Sequence, residues 1–214
     1  MFVKITPDGN YRIVHIVYPI PHKGSSLKDF AIQLSEQIDT SGKYVFIGSS
    51  LGGMICVELA DILQPEKVII ISSAKSRHEL PPRFYLPHTK ILNKLIPKKL
   101  MRFISIVAQP LLNNDILHNK EVFASMLKSR GPLYYKRTVN MIVNWKRNIC
   151  HKDVIHIHGT KDRMIPIANV RADYIINDGS HFITLTRGDE VNKIIQTVLD
   201  TITGVLTLPQ PKLS

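Results

Sequence analysis

The feature that most constrains the fold is a short apolar run that leads through a glycine-flanked serine into a helix-forming segment. Residues 44–47 are apolar throughout, as expected for a strand buried on both faces. Residues 48–52 then have the pattern G-x-S-x-G, with Ser50 at its centre, and residues 52–63 are typical of a helix. The pattern predicts a tight turn that lifts Ser50, rather than Ser49, above the sheet. A purely structural turn of small residues is the alternative.

Predicted strands and helices alternate along most of the 214-residue chain. This alternation predicts an α/β fold with a mostly parallel, doubly wound sheet. Functional residues of such sheets lie beyond the carboxyl ends of the strands. The predicted strands are residues 12–18, 44–47, 67–71, 154–158 and 173–176, and the main predicted helices are residues 27–38, 52–63 and 189–202.

The alternation stops in the middle of the chain, where residues 74–150 contain no convincing strand. This segment has proline-punctuated helical stretches instead, so it is predicted to be a helical insertion between the third and fourth strands. The predicted organisation is a core of residues 1–73 and 151–207, an insertion of residues 74–150 and a flexible tail of residues 208–214. The helical stretches in the insertion are residues 92–107, 120–129 and 134–145.

Two further side chains could serve a serine nucleophile, which needs a base to take its proton. His181 lies in a turn between a predicted strand and the last helix, and Asp162 directly follows the strand at residues 154–158. Taken singly, each could be an ordinary polar residue of a loop. Ser50, Asp162 and His181 all follow strands, in the chain order expected for a Ser-Asp-His group, so we expect them to meet at one sheet edge.

Three stretches carry a resemblance to the α/β-hydrolase family, and in particular to its small esterase-like members with a helical cap. The resemblance extends from about residue 12 to residue 202, apart from the cap. It implies a serine hydrolase for a carboxylic ester or thioester of a small to medium acyl substrate, with neither metal nor organic cofactor. The three stretches are residues 46–54, 156–166 and 179–182.

The resemblance also implies residue roles. Ser50 would attack the acyl carbonyl, His181 would act as base and then as acid, and Asp162 would orient the imidazole. The backbone N–H of Leu51 would supply one oxyanion donor.

The family usually takes its second oxyanion donor from a loop after an earlier strand, and residues 1–11 contain no such loop. The fold is therefore expected to be abbreviated at its N-terminus. The recorded start could lie downstream of the true start. The chain could instead be a weak or inactive hydrolase that binds a ligand or partner. Or a substitute donor could come from the cap or from the segment of Pro19, Ile20 and Pro21.

The net charge of +11 is concentrated in one segment. Residues 75–152 contain 16 Lys and Arg side chains against three acidic ones. These charges form either solvated outer faces around an apolar lining or a basic rim that steers anionic substrates or an acidic partner. Nucleic acid is not expected, because aromatic residues are not interleaved with the charges. The rim candidates are Arg83, Lys98, Lys99, Arg102, Lys136 and Arg137.

The compartment is predicted from what the chain lacks. No secretory leader opens it, and no apolar run approaches the roughly 20 residues of a membrane helix. Cys56 and Cys150 are far apart and are expected to be free thiols. These features predict a cytoplasmic protein whose partner is a small-molecule acyl ester, with no membrane contact; its oligomeric state is left open.

Overall fold

A computed structural model describes residues 2, 5–7, 11–84, 86, 95–97, 130–149 and 153–202 of the chain. Its centre is a four-stranded sheet in which the strands follow chain order and every neighbouring pair is parallel. The strands are short and rich in Val and Ile, as buried parallel strands usually are. They are β1 (Val45–Ser49), β2 (Lys67–Ile71), β3 (Val154–Gly159) and β4 (Tyr174–Ile176).

The register brings the carboxyl ends of the strands to one edge. Ser49 lies opposite Ile71 in the β1–β2 pair, and Gly159 lies opposite Ile176 in the β3–β4 pair. The loops that leave these strands therefore begin close together. This is the edge at which the sequence places its candidate residues.

Local sequence signals explain where the helices begin and end. Ser26 and Asp29 form a reciprocal capping box at the first helix. The second helix ends at Gln64, which adopts a left-handed conformation directly before Pro65. Pro132 opens the third helix, where its missing N–H is not needed. The helices are α1 (Leu27–Ser35), α2 (Leu51–Leu63), α3 (Pro132–Val143), α4 (Ile183–Thr186) and α5 (Gly188–Ile202).

Both faces of the sheet are covered, which confirms the doubly wound α/β prediction. Val68 and Ile70 point into a core shared with α1 and α2, whereas Ile69 and Ile71 point into a second core shared with α5. Successive strand side chains alternate between faces, so an unbroken apolar run is needed to line both cores.

The predicted insertion is described in part. Two short 3-10 turns, Arg77–Glu79 and Pro82–Phe84, follow β2, and α3 matches the helix predicted at residues 134–145. The helix predicted at residues 120–129 lies outside the described residues, as does that at residues 92–107 except for residues 95–97. The tail at residues 208–214 also lies outside them.

One predicted strand is wrong. Residues 12–18 are described, but they join no strand of the sheet. The backbone of Val17 bonds to the side chain of Gln37 instead, with distances of 3.1 Å to its Oε1 and 2.9 Å from its Nε2. A β-branched run favours an extended chain, but it forms a strand only where a neighbouring strand accepts its hydrogen bonds.

No helix in the described part of the chain is long and apolar enough to cross a membrane.

Candidate active site

Ser50 stands in a strained turn between β1 and α2. Its backbone angles are φ 53° and ψ −123°, which L-residues rarely adopt. Glycine is required around it: a Cβ on Gly48 would lie 2.4 Å from the Gly52 carbonyl oxygen, and one on Gly53 would lie 2.4 Å from the Ser73 Oγ. Close contacts therefore require Gly48 of the G-x-S-x-G pattern and the following Gly53, whereas a Cβ on Gly52 would meet only the Tyr18 hydroxyl, at 3.4 Å.

Hydrogen bonds from two elements hold the turn in place. The Ser50 N–H donates to the Ile71 carbonyl at 3.0 Å, which ties the turn to the end of β2. The Ser50 carbonyl accepts from the N–H groups of Gly53 and Met54 in α2. It also accepts from the hydroxyl of Ser73 at 2.7 Å. These contacts compensate for the unfavourable backbone conformation.

The structure brings Ser50, His181 and Asp162 together. His181 Nε2 lies 2.9 Å from Ser50 Oγ, and His181 Nδ1 lies 2.8 Å from Asp162 Oδ2. An ionised carboxylate can only accept, so the Nδ1–H donates to Asp162 and the Nε2 of the neutral ring accepts from the serine hydroxyl. His181 and Asp162 are buried and Ser50 is half-buried.

Asp162 is held by its own turn as well as by His181. Its Oδ1 accepts from the N–H groups of Met164 and Ile165, at 2.8 and 2.9 Å. Burial by itself raises the pKa of Asp162, but the nearby His181 and these hydrogen bonds outweigh burial and hold that pKa below its ordinary value. Asp162 is therefore an ionised acceptor at neutral pH.

The loops that carry Asp162 and His181 touch through two glycines. A Cβ on Gly159 would lie 2.2 Å from the Gly179 carbonyl oxygen. The Lys161 N–H donates to that same oxygen at 2.8 Å, and the Thr160 N–H donates to the Ile176 carbonyl at 3.1 Å. The contact fixes the distance between the loop that carries Asp162, here called the acid loop, and the loop that carries His181.

A sequence profile described as the alpha/beta hydrolase family matches residues 18–194. The chain belongs to the alpha/beta hydrolase family. The match includes all four strands of the sheet and all three residues of the Ser50 site.

Solved structures of other hydrolases share the fold at low sequence identity. A thermophilic esterase from Thermogutta terrifontis has a TM-score of 0.61 at 14% identity, covering 83% of this chain and 73% of the esterase. An enol-lactonase from Burkholderia xenovorans LB400 has a TM-score of 0.60 at 17% identity, covering 86% and 75%. An N-acyl homoserine lactone degrading enzyme has a TM-score of 0.57 at 21% identity, covering 82% and 76%. Comparison with curated proteins gives no match.

The two predicted sources of oxyanion donors lie on different elements of this alpha/beta hydrolase. Leu51 is the first residue of α2, where backbone N–H groups have no partner within the helix. In the other segment, Pro19 and Pro21 have no N–H, so only Ile20 offers a backbone donor. Ile20 is 49% exposed.

Several of the basic residues predicted to form a rim donate hydrogen bonds to backbone carbonyls. Arg83 donates to the carbonyls of Arg163 and Met164 in the acid loop, at 2.9 and 2.6 Å. Lys136 and Arg137 of α3 donate to the carbonyls of Ile96 and Pro21. The other rim candidates, Lys98, Lys99 and Arg102, lie outside the described residues.

Sequence reasoning missed two residues that contact the site. Ser73 bonds to the Ser50 carbonyl, and His158 lies with its Nε2 3.4 Å from Asp162 Oδ2. The position of His158 at the end of β3, next to the acid loop, was the available signal. Within the described part of the chain, no cluster of three or more His, Cys, Asp or Glu residues could hold a metal ion.

Proposed function

We propose that this alpha/beta hydrolase is a serine hydrolase that cleaves carboxylic esters or thioesters of small to medium acyl groups. The observation that supports it is the bridging imidazole of His181, 2.9 Å from Ser50 Oγ and 2.8 Å from Asp162 Oδ2. Hydrogen-bond contact on both sides of the ring is the geometry that general-base catalysis needs. Names of the structural relatives favour including lactones, which are cyclic esters, among the substrates tested.

In the proposed reaction, Ser50 Oγ bonds to the acyl carbon while its proton passes to His181 Nε2. Asp162 stabilises the resulting imidazolium without taking its proton. The tetrahedral intermediate then collapses, the C–O or C–S bond breaks, and His181 protonates the leaving group. Water repeats the sequence on the acyl-enzyme, with His181 as base, and releases the acid and free Ser50.

The oxyanion of that intermediate needs donors. The Leu51 N–H is one, because it lies at the positive end of α2 next to the nucleophile. We assign the second to the Tyr18 hydroxyl, directly before the segment of Pro19, Ile20 and Pro21. A Cβ on Gly52 would lie 3.4 Å from that hydroxyl.

The placement of Gly52 explains why the Tyr18 hydroxyl is suited to this role. Helical Cα–Cβ bonds tilt toward the N-terminus, so the hydroxyl lies near the amino end of α2. Burial raises the pKa of Tyr18 above its ordinary value, so the hydroxyl keeps its proton and can donate it in a hydrogen bond.

A fluorophosphonate probe tests the proposal directly. The probe is expected to label the folded protein at Ser50, and Ser50→Ala is expected to abolish labelling. Ser49→Ala, which removes the neighbouring hydroxyl, is the matched control and is expected to remain labelled. An ester, thioester and lactone library then identifies the acyl group. Folded wild-type protein that never reacts with the probe would refute a serine hydrolase.

A ligand-binding protein on a catalytically weak hydrolase scaffold is the second candidate. The two prolines at positions 19 and 21 favour it, because they have no backbone N–H in the segment that could supply a substitute oxyanion donor. If this candidate is correct, the protein binds its ligand saturably without turnover, and Ser50→Ala leaves the binding affinity unchanged.

A further inference from the structure

A buried pair of histidines on β3 lies directly behind the proposed active site. His158 Nδ1 is 3.0 Å from His156 Nε2, and both side chains are fully buried. His158 Nε2 is 2.8 Å from the Ile165 carbonyl oxygen and 3.4 Å from Asp162 Oδ2. The pair thus connects the interior of the sheet with the carboxylate that orients His181.

The neighbours of His158 determine which ring nitrogen carries its proton. The Ile165 carbonyl can only accept, so the Nε2 of His158 must donate. The Nδ1 of a neutral ring then accepts, and His156 Nε2 donates to it. Burial lowers the pKa of His158, and lowers that of His156 further, so both rings are neutral at neutral pH.

Ile165 joins His158 to Asp162. Its N–H donates to Asp162 Oδ1 at 2.9 Å, and its carbonyl accepts from His158 at 2.8 Å. Both backbone polar groups of the buried Ile165 are therefore hydrogen-bonded. The carbonyl bonds to His158 of β3, and the N–H bonds to the Asp162 carboxylate. The 3.4 Å distance from His158 Nε2 to Asp162 Oδ2 is too long for a strong hydrogen bond, but it keeps the positive end of the same N–H near the carboxylate.

We propose that His158 is a positioning residue. It fixes the loop that carries Asp162 and the position of Asp162 Oδ2, and thereby the orientation of His181. The proposal rests on the proposed function of Ser50, His181 and Asp162. His158 contacts neither the nucleophile nor a substrate, so it acts through Asp162. A misplacement of about 1 Å at a reacting group can reduce the rate roughly 100-fold, which gives such a residue a measurable effect.

Among the described residues, Asp162 and His181 act on the charge of His158. Burial, the largest influence, and His181 oppose its charged form, while Asp162 and the hydrogen bond to the Ile165 carbonyl favour it. Lys75, which pairs with Asp173 at 3.6 Å, acts on His156 from the end of β2. Asp162, His181 and Lys75 therefore stay unchanged in every variant that tests His158.

Three variants separate a positioning role from simple packing. His158→Asn loses the donor at the Nε2 position, whereas His158→Gln can place an amide N–H near it. His156→Asn is the matched control, since it makes the same substitution in the same buried strand without contact to Asp162. The measurements are the rate of Ser50 labelling by the fluorophosphonate against pH and the downfield proton resonance of the His181–Asp162 hydrogen bond.

We expect His158→Asn to slow labelling by about 10- to 100-fold. Asp162 loses a nearby N–H and becomes a stronger acceptor for the imidazolium, so the acid midpoint of labelling is expected to move to higher pH. The downfield resonance should shift or broaden. His158→Gln should restore most of the rate. His156→Asn removes the bond to His158 Nδ1 but keeps the bond from His158 Nε2 to Ile165, so it should slow labelling much less than His158→Asn and leave the midpoint near that of the wild type.

Unchanged labelling and an unchanged resonance in folded His158→Asn would overturn the proposal, as would an equal effect of His156→Asn. If wild-type protein is not labelled, the serine hydrolase fails, but the resonance still reports whether His158 positions the imidazole. If the variants do not fold, nitrogen NMR of the wild-type protein decides. A proton on His158 Nδ1 instead of Nε2 would overturn the proposal, and one on Nε2 supports it.

Discussion

At the level of single residues, the site depends on backbone conformations that are rare for residues other than glycine. Ser50, Ser72 and Asp178 all have positive φ, and each follows the end of a strand. Such a residue is unfavourable by about 1–3 kcal/mol, so the surroundings must hold it. For Ser50, the bonds from Ser73 and α2 to its carbonyl do so. Strain and its compensation are concentrated at the sheet edge that carries the proposed chemistry.

Replacing Tyr18 with Phe tests the proposed second oxyanion donor. Loss of one such donor reduces turnover by about 10²–10³-fold, so Tyr18→Phe should lower kcat with little change in KM. The described residues offer the Tyr18 hydroxyl no hydrogen-bond partner, so the free energy of unfolding should change little. Steady-state kinetics and urea unfolding measure the two quantities.

Tyr44→Phe is the matched control. The Tyr44 hydroxyl donates to the Leu63 carbonyl at the end of α2, away from Ser50. Its loss should reduce the free energy of unfolding by about 1 kcal/mol and leave kcat unchanged. A Tyr18→Phe protein that retains wild-type kcat would remove Tyr18 from the mechanism.

At the level of elements, the Gly159–Gly179 contact joins β3 to the loop after β4. The neighbouring backbone bonds from Thr160 and Lys161 cross between the same loops. Neither partner of the contact is a flexible side chain, so an added methyl group cannot be accommodated by a rotamer change. The spacing of Asp162 and His181 is thus built into the backbone.

Gly159→Ala is expected to separate these loops. A Cβ 2.2 Å from a backbone oxygen should destabilise the fold by about 2 kcal/mol or more, and Ser50 labelling should slow as His181 moves away from Asp162. Gly42→Ala is the control, because a Cβ there meets nothing within 4 Å. Urea unfolding compares the two, and equal stabilities would contradict the contact.

A second connection between elements fastens α2 to the chain that follows α3. Trp145 Nε1 donates to Glu58 Oε1 at 2.8 Å within the core, and Arg147 pairs with Asp61 at 2.6 Å. The helix that begins at Leu51 is thus anchored to the chain that directly follows α3.

For the whole molecule, buried titratable groups govern how stability depends on pH. His156 is neutral in the folded state because its pKa lies well below the ordinary value of 6.5, mainly through burial. The unfolded chain therefore takes up a proton at this residue first, and stability falls as the pH drops below about 6.5. The lowered pKa of Asp162 adds a loss at more acidic pH, because its stabilisation exists only while the carboxylate is ionised.

His156→Gln should flatten this dependence between pH 7 and pH 5. Each group that takes up a proton on unfolding contributes at most about 1.4 kcal/mol per pH unit, so the change in slope is measurable by urea unfolding across that range. Substitution of the exposed His15 by Gln is the control and should leave the slope unchanged. Parallel curves for His156→Gln and wild type would refute the assignment.

The elements of the sheet were largely predictable, and the exception shows why. Short β-branched runs predicted β1 to β4, and the alternation with helices predicted their parallel pairing. Residues 12–18 have the same composition but join no strand. Composition reports a local preference for extended backbone, whereas strand formation also needs a neighbour in register.

By itself, the sequence determined the class of the fold and which side chains follow the strands, because hydrophobic period and turn residues act over a few neighbouring positions. It indicated Ser50, Asp162 and His181 through their order along the chain. Only the tertiary structure decided the 2.8–2.9 Å contacts of His181, the hydrogen bond from His158 to the Ile165 carbonyl and the approach of Tyr18 to α2. These contacts join residues from different loops, and their distances depend on how the two cores pack rather than on any local pattern.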